Sequence, residues 1–358
     1  MAFKLRFSSK KGKKAQPVGL DIGSNSLKAV ELRSAGKDAY ELASCGFEEL
    51  SPDWIIDGTI VAAAPVAEAV NRVFSNHHIK SDQIVTSISG RFAVVKRISV
   101  HLQAEDDLLE SIRWEAEQHL PFEDISDVNF DFHVLNENAA TETMNVLLVA
   151  VKKDRIKPYT DVLDLAKKTP VILDVEAFAL QNAYEFNYEP DPGVTTALLN
   201  IGANNMMINL VSGTEFLFTR DIGIGGQRYT EFLQREFNLD YAQAQMLKYG
   251  ETADGISSTD VQYVMDSVTE IICMEVQKTF DFFKSTSTAN NIDRMLVSGG
   301  AAHTPGLVDA LGDSLGIPVD KFDSFKRIRV DRDKFPKITE QTAEMAIAVG
   351  LALRSEEA

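Results

Sequence analysis

Apolar and polar positions follow two rhythms along this chain, and the change from one to the other marks out its elements. Residues 18–22, 27–32 and 39–48 carry alternating or continuous apolar runs, the first two separated by a turn rich in Gly and Ser. That pattern predicts strand, turn, strand, strand. Over residues 60–75 the period lengthens to 3.6, with Val61, Pro65, Val66, Ala69, Val70 and Val73 on roughly one side, which predicts a helix. Strands are expected at 83–89 and 93–100, then an acid-started helix at 105–120 that Pro121 stops. Strands at 129–135 and 145–151 and a helix at 156–166 complete the first half.

After Asp191-Pro192-Gly193 the first rhythm returns. Strands are expected at 195–201, 206–212 and 215–222, with a turn at Gly202 after the first, the same order as at residue 18. The match is one of pattern rather than of residues, and a repeated strand–turn–strand unit implies two related lobes. Helices follow at 229–237, 241–249 and 260–284, then a short buried strand at 295–298 and a closing helix at 340–354.

Composition narrows the class. A chain of 358 residues exceeds one ordinary core, so two or more lobes are expected. An apolar fraction of 44% with both charge signs present describes a folded protein. The net charge of -17 opposes general nucleic-acid binding, which needs a field that attracts phosphate. Residues 1–14 depart from this balance, carrying Lys4, Arg6, Lys10, Lys11, Lys13 and Lys14 with no acid. They read as a disordered leader, or as a weak electrostatic contact with anionic lipid. No apolar h-region follows them, no run is long enough to cross a bilayer, and Cys45 and Cys273 have no partners at metal-ligand spacing. A cytoplasmic location is expected.

Three turns carry candidate chemistry. In the first, a strand delivers Asp21, then Gly23, Ser24, Asn25 and Ser26 turn the chain and Lys28 follows. Small residues let backbone N–H groups approach phosphate oxygens, and Lys28 offers a compact positive charge. Asp21 can hold water on a magnesium ion. The same run also reads as a tight hairpin with a surface lysine. The second turn, Asn200-Ile201-Gly202-Ala203-Asn204-Asn205, and the third, Ser298-Gly299-Gly300-Ala301, again follow strands. Together they imply a cleft at the carboxyl ends of strands from two lobes. His77-His78 reads as solvated, and neither a nucleophile elbow nor a Walker A loop is present.

The run Gly19-Leu20-Asp21-Ile22-Gly23-Ser24, continued by Lys28-Ala29-Val30-Glu31-Leu32, resembles the opening of the PilM family of actin-like type IV pilus assembly proteins, relatives of the cell-division protein FtsA. The resemblance extends over nearly the whole chain. Gly225-Gly226 begins a helix, and Ala244-Gln245-Met246-Leu247-Lys248 stands where the family tends to show Ala-Glu-x-x-Lys. Glu275 to Phe283 is similar to its long helix, and Leu296 to Ala301 to its adenosine loop.

What this implies is an α/β, actin-like (ribonuclease H-like) two-lobed ATPase fold with a small inserted α+β subdomain. The expected division is a leader at 1–16, the first lobe at 17–90, the FtsA/PilM-type insert at 91–167 and the first lobe again at 168–194. The second lobe follows at 195–232, its helical subdomain at 233–291, the second lobe again at 292–338, and a helix returning to the first lobe at 339–358. ATP or ADP with magnesium is implied. Asp21, Gly23, Ser24, Asn25, Ser26 and Lys28 would meet phosphates, with Asp21 holding magnesium through water. Asn200, Gly202 and Ala203 would form the second phosphate loop. Gly299, Gly300 and Ala301 would lie against adenosine, and Gln245 and Lys248 would approach ribose and base.

Two departures bear on turnover. The superfamily usually places Asp where Asn200 stands, and a neutral amide cannot act as a charge or a base. Gln245 replaces a Glu, yet an amide still hydrogen-bonds ribose. Nucleotide binding with slow or absent hydrolysis is therefore expected. The resemblance also implies a partner, the cytoplasmic N-terminal peptide of a PilN-like inner-membrane protein, bound between the first lobe and the insert. The chain would then act as a cytoplasmic scaffold peripheral to the inner membrane, and a homo-oligomer stays open. Two alternatives are an FtsA-like filament protein and a small-molecule kinase of the superfamily. The acidic end Arg354-Ser355-Glu356-Glu357-Ala358 offers no amphipathic anchor for the first, and no Asp-rich substrate loop supports the second.

Overall fold

The Gly23 turn joins two antiparallel strands, and the first half of the chain is arranged around that hairpin. The computed structural model describes residues 5–6, 16–253, 255–287 and 291–354. The leader, apart from Leu5–Arg6, and the acidic tail lie outside the described residues. Two compact units divide the chain: Met1–Ala183 with Ile347–Ala358, and Tyr184–Ala346.

In the first unit the elements are β1 (Leu5–Arg6), β2 (Val18–Ile22), β3 (Ser26–Gly36), β4 (Ala39–Glu49), a small hairpin of β5 (Ile55–Ile56) and β6 (Thr59–Ile60), then α1 (Ala63–Asn76) and β7 (Gln83–Ile88). There follow β8 (Ala93–His101), α2 (Glu105–His119), β9 (Val128–Asn138), β10 (Thr143–Lys152), α3 (Lys153–Leu165), β11 (Thr169–Val175) and α4 (Glu176–Tyr188), whose last turn enters the second unit. The main sheet has the order β1-β11-β7-β2-β3-β4. Its members β11, β7 and β2 run parallel, while β3 and β4 turn back antiparallel. A separate antiparallel sheet, β8-β10-β9, buries Ile98, Val100, Val146 and Leu148 against Leu108, Ile112 and Ala116 of α2. The helical spacing of those three α2 residues is what lets one stripe cover one sheet face.

The second unit holds β12 (Thr195–Ile201), β13 (Met206–Ser212), β14 (Glu215–Ile222), α5 (Gln227–Phe237), α6 (Tyr241–Lys248), α7 (Ser258–Thr286), β15 (Arg294–Ser298), α8 (Leu307–Leu315) and β16 (Val319–Lys321). Its sheet runs β14-β13-β12-β15-β16, with β12, β15 and β16 parallel and β13 and β14 antiparallel. Read from the other edge, β16-β15-β12-β13-β14 has the same order and directions as β11-β7-β2-β3-β4. The repeated pattern in the sequence is therefore a repeated topology.

The last helix, α9 (Ala346–Ala352), returns to the first unit. A Cβ on Gly19 would overlap Ala348 O, and one on Gly350 would overlap Ala179 O, so these glycines let α9 pack directly on β2 and α4. Arg354 then pairs with Asp174 at 2.6 Å, both side chains buried.

Several expected boundaries shift, among them the start of α3 at Lys153 and the end of β9 at Asn138, and two of the shifts have a visible cause. The helix expected at 60–75 begins at Ala63, because Thr59–Ile60 pairs with Ile55–Ile56 through a turn at Asp57 and Gly58, both at positive φ. The closing helix is far shorter than 340–354. Residues 338–340 form a 3₁₀ turn, Thr342 O accepts from Ser324 Oγ, and Ala343 O accepts from Gly299 N–H. Carbonyls engaged outward in this way cannot propagate a helix. The sequence reading also passes over β11, α4, α8 and β16.

Candidate functional site

The first group of candidate residues, in the first unit, is the β2–β3 turn. Gly23 N–H donates to Ser26 O at 3.0 Å and closes the turn, while Asn25 O accepts from Leu50 N–H at 2.8 Å and ties it to the end of β4. Asp21 and Lys28 are directly opposite in the ladder, and Lys28 Nζ lies 3.3 Å from Asp21 Oδ2. Register alone produces this pair, since a two-residue change in either strand would separate the side chains. A Cβ on Gly23 would stand 3.1 Å from Ser26 O and 3.4 Å from Lys28 Nζ, so the glycine keeps the floor beneath the ammonium low.

A further carboxylate belongs to the same end of this sheet. Glu176 opens α4 immediately after β11, and it and Asp21 both act electrostatically on the buried Tyr159. Burial, then Glu176, then Asp21 hold that phenol's pKa far above its ordinary value, and the hydroxyl donates to Gly58 O at 3.4 Å. Glu176 escapes the sequence reading because the element that presents it does. Its one signal is an acid directly after the mostly apolar run 171–175, which only Asp174 interrupts, where a parallel strand hands over to a helix.

The second group of candidate residues, in the other unit, is built from three glycine turns that touch. Gly202 N–H donates to Asn205 O at 2.9 Å, the counterpart of the Gly23 bond. Gly202 O accepts from Gly226 N–H at 2.8 Å and Ala203 O from Gln227 N–H at 2.7 Å, so this turn is fastened to the start of α5. A side chain on Gly225 would overlap the Ala203 carbonyl. Gly299 has φ 87°, and a Cβ there would overlap Ile201 O and lie 2.8 Å from Asn200 Oδ1. Ser298 Oγ donates to Asn200 Oδ1 at 3.2 Å, which orients the amide. A Cβ on Gly226 would stand 2.9 Å from Ala301 Cβ and 3.3 Å from Lys248 Nζ, so Gly202, Ala203, Lys248 and Ala301 gather around Gly225-Gly226, while Gly299 lies against Ile201 and Asn200. Ser24 lies in the β2–β3 turn of the first unit, and Gly300 opens a 3₁₀ turn directly after Gly299.

Lys248 is the unusual member. It is 5% exposed, burial lowers its pKa to about 8, and no carboxylate among the described residues offsets that burial. Tyr249 gives it a ring at 5.2 Å. A buried ammonium without an anion is costly, and such groups are held where a ligand supplies the missing charge or acceptor. Gln245, three residues earlier, donates Nε2–H to Tyr241 Oη at 2.7 Å while its buried Oε1 has no hydrogen-bond partner among the described residues. An unmatched donor and an unmatched acceptor therefore flank the glycine turns. His77-His78, by contrast, join no metal cluster among the described residues.

A family model described as type IV pilus assembly protein PilM matches residues 19–356. A chain of a PilM-PilN type IV pilus biogenesis complex superposes with a TM-score of 0.83 and 25% identity, covering 95% of this chain and 98% of that one. The ethanolamine utilization protein EutJ from Carboxydothermus hydrogenoformans matches with a TM-score of 0.56 and 14% identity, over 95% of this chain and 89% of that one. MreB5 of Spiroplasma citri bound to ADP matches at 0.54 and 11%, over 93% and 94%. The last two likenesses speak for the fold alone, which is the actin-like ATPase fold. With the family model spanning nearly its full length, the chain belongs to the PilM family of type IV pilus assembly proteins.

Proposed function

We propose that this chain is an ATP- or ADP-binding scaffold that recruits a PilN-like inner-membrane protein through that protein's cytoplasmic N-terminal peptide, with slow or absent hydrolysis. The observation that carries the nucleotide reading is Lys248, a buried ammonium with no carboxylate beside it among the described residues, set against Gly226 and one helical turn from Gln245, whose Oε1 has no partner there either. A nucleoside supplies what both lack: ring or ribose acceptors for the ammonium and a ribose hydroxyl donor for the amide oxygen. The glycine turns leave room for phosphates beside backbone N–H groups at Gly23–Ser26 and Gly202–Ala203. Gly299, Gly300 and Ala301 would take the adenosine. MreB5 of Spiroplasma citri, which shares the fold, is described as bound to ADP.

Asp21 would hold magnesium through water, and magnesium when bound neutralises phosphate charge. Lys28 already meets Asp21, so phosphate entry would redirect the ammonium from the carboxylate to the ligand. Asn200 accepts from Ser298 and stands where a catalytic carboxylate would be expected, which favours binding over turnover. The β8-β10-β9 sheet with α2 is read as the FtsA/PilM-type insert of residues 91–167. The complex of PilM with PilN supports the choice of partner. Since no helix among the described residues is long and apolar enough to cross a membrane, attachment through the partner would place the chain peripherally at the inner membrane.

The test is a calorimetric titration of the full chain with magnesium-ATP and with ADP, followed by phosphate release. Saturable binding that Lys248→Met weakens about tenfold or more is expected, with turnover well under about 1 s⁻¹, an ordinary enzyme rate. Turnover near that rate would overturn the scaffold reading. Failure of a PilN-like N-terminal peptide to bind, with and without ATP, would overturn the partner.

A further inference from the structure

Among the described residues the longest stretch without strand or α-helix runs from 322 to 345, between β16 and α9. Loops of such length inside a compact unit are uncommon, and ordered ones usually serve binding. This one is firmly held. Phe322 and Ser324 are fully buried, and Phe325, Ile328 and Ile338 nearly so. The Tyr188 ring lies 5.2 Å from that of Phe322, and Tyr188 Oη accepts from Asp323 N–H at 2.7 Å. Arg327 N–H donates to Asn187 Oδ1 at 3.1 Å. Within the loop, Asp331 Oδ1 accepts from the N–H groups of Asp333 and Lys334 at 3.1 and 3.3 Å, and Asp331 O accepts from Phe335 N–H at 3.0 Å.

What this frame displays is positive charge. Residues 326–337 carry Lys326, Arg327, Arg329, Arg332, Lys334 and Lys337 against Asp331 and Asp333, in a chain of net charge -17. Some of that charge is used internally. Arg327 pairs with Glu189, Lys326 lies over the Tyr188 ring at 4.6 Å, and Lys334 over Phe335 at 4.8 Å. Arg329, Arg332 and Lys337 are exposed and meet no carboxylate among the described residues.

We propose that the 326–337 loop docks an acidic, extended segment of a protein partner, with Arg329, Arg332 and Lys337 pairing with its carboxylates. Guanidinium forks match carboxylates in bidentate fashion. A loop already fixed by Tyr188, Asn187 and Asp331 loses little freedom on binding, which favours affinity. The rival occupant is an anionic membrane. Against it, Asp331 and Asp333 interrupt the cations, where a continuous anionic surface would meet repulsion but a segment with spaced acids would not. The large apolar residues Phe325, Ile328 and Ile338 are also buried and offer nothing to insert. This surface is independent of the nucleotide reading.

The test selects a displayed library of 12-residue peptides on the full chain, then titrates the best synthetic peptide against wild type and Arg329→Glu/Arg332→Glu/Lys337→Glu. Expected are sequences of net negative charge, binding at least about tenfold weaker to the reversed variant, and affinity that falls as salt rises from about 50 to about 500 mM. The neutral set Arg329→Gln/Arg332→Gln/Lys337→Gln should lie between, and carries the test should the reversed variant fail to fold. Selection of sequences without excess acid, or equal affinity for all three proteins, would overturn the proposal. So would binding to vesicles of phosphatidylglycerol, but not phosphatidylcholine, that the variants lose.

Discussion

The two sheets share one topology but treat charge in opposite ways. In the first, Asp21 is matched across the ladder by Lys28, and Asp174 by Arg354. In the second, the position corresponding to Asp21 is the neutral Asn200, opposite Met207, and the buried Lys248 meets no anion among the described residues. The turn geometry is conserved between them, since Gly23 and Gly202 each close onto the carbonyl three residues ahead. A fold thus fixes where backbone N–H groups gather, while the residues placed there decide whether the site is neutral by itself or waits for a ligand. The first turn carries its own counter-charge. Lys248, beside Gly226, has none among the described residues.

Breaking the compensated side should cost most. Arg354→Ala leaves Asp174 buried without its partner, and a loss of about 3–5 kcal/mol in urea unfolding is expected. Burial already pushes the Asp174 pKa up against the pull of Arg354, so removing the guanidinium should raise it further. A loss below about 1 kcal/mol would show that the pair is not what holds this end of the unit.

On the uncompensated side the sign should reverse. Lys248→Met removes a buried charge and should stabilise the nucleotide-free chain by roughly 1–3 kcal/mol at pH 7, while weakening nucleotide binding. The pH dependence sharpens this. Between about 8, the folded pKa, and 10.5, the ordinary value, the unfolded chain holds a proton that the folded chain has released. Wild-type stability should therefore rise through that window relative to Lys248→Met, and the full cost should stand below about pH 8. Nucleotide binding should take up a proton near pH 8 to 9, because new acceptors favour the charged form. Equal slopes for both proteins would remove Lys248 as an uncompensated charge.

The smallest effect is expected from making the two halves more alike. Asn200→Asp puts a carboxylate opposite the Ser298 hydroxyl, which can still donate to it. Magnesium-dependent phosphate release should rise about tenfold, equal to about 1.4 kcal/mol. No rise would mean that the missing carboxylate is not what limits turnover.

How much of this was legible depends on punctuation. The strands at 18–22, 195–201, 206–212 and 215–222 stand where their apolar runs and flanking Gly or Ser residues put them. The 169–188 stretch has no such marks. Thr169–Val175 passes into α4 without a Gly or Pro break, and α4 buries Ala177, Phe178, Ala179, Leu180, Ala183 and Tyr184 all around its axis. A helix without a polar face shows no amphipathic stripe, so β11, α4 and with them Glu176 went unread. For the site, the three glycine turns and Lys248 were visible as residue types. That Lys248 lacks a counter-charge, and that Lys28 has one in Asp21, are properties of register and burial, which no spacing encodes. The boundary at 340 moved for a related reason, because the carbonyls that end the helix pattern are claimed by Ser324 and Gly299 from elsewhere in the unit.

The 326–337 loop has a consequence for handling the protein. Its exposed Arg329, Arg332 and Lys337 are the residue types after which trypsin cuts, and they lie on the stretch that joins β16 to α9. A single nick there would part the polypeptide, yet Gly350 seated on Ala179 and Arg354 bound to Asp174 would keep α9 packed on the first unit. A nicked sample would migrate as two fragments once denatured, while α9 stayed in place under native conditions.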